Sequence, residues 1–134
     1  MIRIIQLLNE KNHFLEKFYS LNENQIARLD QGQFDDIERF YNQREDLLKI
    51  LKYVDAEISK SHSLYKDMTG PFDPGQKLQI KDCLQIKETY VKKILEQDLI
   101  VLGLIDDAKS QIIRELQDIK KASRAMTGYK SKSI

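Results

Sequence analysis

The sequence predicts an all-α protein, an elongated antiparallel bundle of three long helices over about residues 2–30, 35–68 and 74–127. Three observations carry that expectation. Charged residues make up 32% of the chain and hydrophobic ones 41%, with five Gly, two Pro and no Trp, which is the composition of a coiled-coil-like protein. Both prolines fall in one stretch, Thr69-Gly70-Pro71-Phe72-Asp73-Pro74-Gly75, which marks a single clear loop. Beyond it an apolar line runs Leu84, Val91, Ile105, Ile112, Ile119, Met126, one residue in every seven, with only Asp98 out of character. No strand pattern is visible in the sequence.

The first helix, about Ile2 to Leu29, places Ile5, Leu8, Leu15, Ile26 and Leu29 on one face, broadened by Ile4, Phe18 and Leu21. Asn12, Tyr19 and Asn22 fall on the same stripe, where polar groups loosen a seam and help to fix register. Gln31-Gly32-Gln33 interrupts the pattern. The stripe resumes at Ile37 after a shift of four residues, so a turn or one bent helix would satisfy it. The turn is preferred, because Asp35 and Glu38 outline a capping box.

The second helix carries Ile37, Phe40, Tyr41, Leu47, Leu48, Leu51, Val54, Ile58 and Tyr65, with Arg44 breaking its stripe. The third begins at Asp73-Pro74-Gly75-Gln76, with Asp73 as N-cap, Pro74 at the first helical position and Gln76 completing the box. Gly128 offers a stop, and Gly103 offers a kink. The run Leu99 to Ile105 is apolar all round, and burial at the bundle centre is its preferred reading over a partner patch.

Pro74 to Thr127 would span roughly 80 Å, and the second helix only about 50 Å. In an antiparallel bundle the third helix then reaches the level of Gly32 near residue 108. The chain is expected to be one domain, residues 1–134, with 109–134 as a projecting C-terminal helix and tail. That segment holds Ile112, Ile113, Leu116, Ile119 and Met126 at helical spacing, and these are the candidate partner-binding residues. An isolated amphipathic helix of that length is marginal in water, so its apolar face should dock. Seven basic against two acidic residues give it a balance of +5 in a chain of net +1. An acidic or neutral partner surface suits it.

The near-neutral charge argues against general nucleic-acid binding. Apolar runs are too short to span a bilayer, and the first residues form no secretory core, so a soluble cytoplasmic protein is expected. His13 and His62 lack metal-ligand spacing, and Cys83 has no neighbouring Cys. Asp35-Asp36 and Asp106-Asp107 point to different faces of their helices. No catalytic residues, metal or cofactor are expected, and the chain reads as a non-enzyme.

Leu29-Asp30-Gln31-Gly32-Gln33-Phe34-Asp35-Asp36-Ile37, followed by Gln43-Arg44-Glu45-Asp46-Leu47-Leu48, resembles the first hairpin of bacterial flagellar type III export chaperones of the FlgN/FliT group. The stretch Lys120 to Lys130, closing on Gly128-Tyr129-Lys130, is similar to the basic, Tyr-containing end of such chaperones. The resemblance implies a cytosolic export chaperone. It would bind a C-terminal amphipathic helix of a hook–filament junction or cap subunit and deliver it to the export apparatus. It also implies that the C-terminal helix contacts the client, with Tyr129 docking on the export gate. The neutral charge departs from the acidic balance common in that class and bears on the client's identity. The alternatives are a coiled-coil scaffold that forms a homodimer through the same stripe, and an anti-activator that sequesters a regulator.

Overall fold

A computed structural model of the chain describes residues 2–68 and 72–132, and the side chains of 3–64, 72–122 and 124. It contains three helices: α1 (Ile2–Asp30), α2 (Ile37–Met68) and α3 (Pro74–Lys132). There is no strand among the described residues. The chain divides into two units, Met1–Val101 and Leu102–Ile134.

Local chemistry sets the ends of the helices. Gly32 has φ of +75°, its N–H bonds Leu29 O at 3.0 Å, and Gln33 N–H bonds Arg28 O at 2.9 Å. This Schellman arrangement satisfies the last carbonyls of α1 and requires a residue tolerant of the left-handed region. Gly32 is therefore a turn and not a bend. The start of α2 differs from the expected position, residue 35. Asp36 holds the N-cap place, its carbonyl accepting from Phe40 N–H at 3.0 Å. Its carboxylate pairs with Arg28. The N-cap place thus falls at Asp36 and not at Asp35.

At α3 the expected box forms in full. Asp73 Oδ1 accepts from Gln76 N–H at 2.8 Å, and Gln76 Oε1 accepts from Asp73 N–H at 3.2 Å. The other end of α3 corrects the sequence reading. Gly128 does not stop the helix, which runs to Lys132 and not to 127. Glycine costs a helix only about 1 kcal/mol, and no proline follows to enforce a stop. Gly103 likewise lies within the helix without ending it.

The first unit is a three-helix bundle. Leu15 and Phe18 of α1, Leu51 of α2 and Ile94 of α3 form one core cluster. Ile4, Leu8 and Cys83 form another, with Ile58, Phe72 and Ile80 packed on it. Along α3 the buried positions are Cys83, Ile94, Gln97, Val101, Ile105 and Ala108, of which Cys83 and Gln97 stand one residue before members of the line from Leu84 and Ile105 belongs to it. Leu84 itself is exposed. The seven-residue line thus starts at the flank of the seam, at Leu84, and enters it at Ile105. Burying each such Leu or Ile contributes about 1.5–3 kcal/mol.

Candidate functional site

Three polar residues that break their stripes meet in the bundle. Arg44 Nη2 of α2 donates to Asp98 Oδ2 of α3 at 2.6 Å, and Asn22 Nδ2 of α1 donates to Asp98 Oδ1 at 3.1 Å. Asn22 is fully buried, and the Arg44 guanidinium sits 5.5 Å from the Phe18 ring centroid. One residue before Asp98, Gln97 Nε2 donates to Tyr19 O at 3.2 Å and Glu23 Oε1 at 2.8 Å. This layer links all three helices, and the part-buried Arg44 guanidinium favours the alignment that gives it its carboxylate. Each interruption was visible in the sequence. Their meeting was not, since it depends on the offsets between helices.

A second polar contact set surrounds Cys83. Its Sγ donates to Asn9 Oδ1 at 3.2 Å, and its carbonyl accepts from Asn12 Nδ2 at 2.9 Å. Burial, and secondarily the charge of Asp82, push the Cys83 thiol up. A protonated, donating thiol is inert packing, not a nucleophile. His13 stacks edge-on against Phe14 with ring centroids 5.6 Å apart. Among the described residues no three His, Cys, Asp or Glu side chains gather as metal ligands would. No helix among them is long and apolar enough to cross a membrane.

The run from Leu99 to Ile105 is not buried all round. Val101 and Ile105 are buried, whereas Leu99 is 73% exposed and Ile100 and Leu102 are half exposed. The central burial expected of this run is therefore corrected. One helix has only one covered side, and these residues point away from it.

The second unit presents the sequence-predicted site residues on the surface. Ile112, Ile113, Leu116 and Ile119 are 49%, 54%, 54% and 64% exposed. Ala108 is the last buried position, and every described side chain from Lys109 to Arg124 is exposed. Ile112, Leu116 and Ile119 follow each other at i, i+4 and i+7, so they share one side of the helix. A neighbouring row, Lys109, Ile113, Leu116, Lys120, Arg124, edges that stripe with positive charge. Met126 and Tyr129 belong to α3, but their side chains lie outside the described residues.

The sequence reading missed a second surface feature, in the first unit. A groove of about 850 Å³ opens where α1, α2 and the start of α3 meet the loop residue Phe72. Its signal in the sequence was faint: Leu84, the first member of the seven-residue apolar line, is 40% exposed and lines the groove. No family model, curated protein or solved structure matches the chain.

Proposed function

We propose that this chain is a non-enzymatic helix-binding protein. In this reading Ile112, Ile113, Leu116 and Ile119 receive an acidic amphipathic helix of a partner. Following the resemblance, the role is that of a cytosolic export chaperone. Its client would be a flagellar hook–filament junction or cap subunit, which it hands to the export apparatus. The observation that carries the reading is the stripe itself, apolar at helical spacing, exposed throughout and edged by Lys109, Lys120 and Arg124.

Apolar anchors at i, i+4 and i+7 are how helices recognise grooves and other helices. Half-exposed Ile and Leu side chains can gain about 1 kcal/mol each on burial. Four of them supply about 4 kcal/mol, the scale of a millimolar complex before the cost of immobilisation. The stripe alone therefore supports an exchangeable contact, with the basic row adding attraction and register. Hand-over requires such exchange. An antiparallel homodimer would set the row Lys109, Lys120, Arg124 against the same charges on its copy, which disfavours that form of the scaffold reading.

The test is titration of the full chain with two synthetic helices that share an i, i+4, i+7 leucine pattern. One carries Glu at its flanks and the other Lys. The acidic helix should bind at least tenfold more tightly, and Leu116→Glu should weaken it at least tenfold. Equal affinity for both helices, or no effect of Leu116→Glu, overturns the proposal. Sedimentation equilibrium decides the scaffold reading: a dimer that Leu116→Glu dissociates would replace the chaperone. Tyr129→Ala should leave helix binding near normal while impairing delivery in an export assay.

A further inference from the structure

We infer that the groove of the first unit is a binding site for a long-chain carboxylic acid, separate from the stripe on the second unit. The walls are Ile4 and Leu8 of α1, Ile58 of α2, Phe72, and Ile80 and Leu84 of α3, and most of the lining surface is apolar. The volume of about 850 Å³ lies in the range of small-molecule sites.

Charge gives the groove a direction. Lys77 and Lys81, one turn apart in α3, line it near the loop. The Asp73 carboxylate already caps the first turn of α3, so the positive charge at this end of the groove is that of Lys77 and Lys81 themselves. Glu88 lines the same groove eleven residues beyond Lys77, about 16 Å along the helix. That is close to the length of an extended dodecyl chain. An anionic head is favoured at the lysines and disfavoured at Glu88, so the ligand is an amphiphile with one acidic end. The apolar walls between those ends take its tail. A partner helix about 10 Å wide fits poorly, because α1 contributes a single turn to the wall and Phe72 stands at the loop end.

Calorimetric titration of the full chain with dodecanoate, below the concentration at which it forms micelles, tests the inference. Dodecanol is the uncharged control. Saturable binding of one equivalent is expected, at least tenfold tighter than dodecanol. Lys77 and Lys81 are exposed, so Lys77→Glu with Lys81→Glu should leave the fold intact and remove the preference for the acid. Leu84→Glu, at another exposed position, should weaken both ligands at least tenfold. Amide shifts on the labelled chain should centre on Ile4, Ile58, Ile80 and Leu84. Unsaturable uptake, equal affinity for dodecanol, or shifts centred on residues 109–124 would overturn the inference. So would displacement of dodecanoate by the acidic helix, which would make the groove a peptide site. Failure here leaves the stripe and its acidic helix untouched, since Leu116→Glu is read separately.

Discussion

Asp98 accepts hydrogen bonds from two helices at once, and its neighbours set the cost of losing it. Asp98→Ala leaves the Arg44 guanidinium part-buried without its carboxylate. The expected loss is about 2–3 kcal/mol, measured as a lower urea midpoint with unchanged slope. Replacing Asn22, Arg44 and Asp98 together by Leu should cost little or raise stability, while the NMR spectrum broadens as alignments multiply. Cys83 behaves oppositely, as a neutral group. Its thiol titrates above the usual range, so the folded state favours the protonated form. The stability this contributes is present below the unfolded thiol's pKa and is lost as pH rises through the folded one. Alkylation by iodoacetamide at pH 8 should be much slower than for the unfolded chain, and equal rates would contradict the burial.

At the scale of elements, the caps and the glycines give graded outcomes. Gly32→Ala places a Cβ at φ of +75° and should cost about 1–2 kcal/mol. Gly103→Ala meets nothing within 4 Å and should raise the melting temperature, gaining about 0.5–1 kcal/mol. In α3 amide exchange should be slow around Cys83 to Ala108 and fast from Lys109 onward, because exposed helical turns open locally. The helices themselves were legible in the sequence, as was the box at Asp73 and Gln76, because spacing and capping are local. The end of α3 was not, since a lone glycine permits a stop without compelling one. The seam of α3 was legible only in part for a related reason. Leu84, Val91 and Ile105 form an apolar line broken only by Asp98, whereas the seam also includes Gln97, which reads as surface until its partners Tyr19 and Glu23 are known.

For the whole molecule the uneven charge matters most. Residues 109–134 carry +5 and the chain +1, so residues 1–108 carry −4. Affinity for the acidic helix should fall as salt rises, mainly through slower association, and a salt-independent rate would separate binding from the basic row. The stripe was readable because amphipathicity is written in spacing. The groove was not, because concavity belongs to no single helix.

The layer at Asp98 bears on how such a molecule survives its own purpose. If the chain binds partner helices as proposed, such a helix could also compete for the place of one of its own. Sliding α3 by seven residues would bring Val91 or Ile105 to the place of Asp98 and strand Arg44. An intruding helix without an acid at that position would likewise leave Arg44 without its carboxylate. The ion pair is thus a password that α3 carries and an ordinary apolar helix lacks.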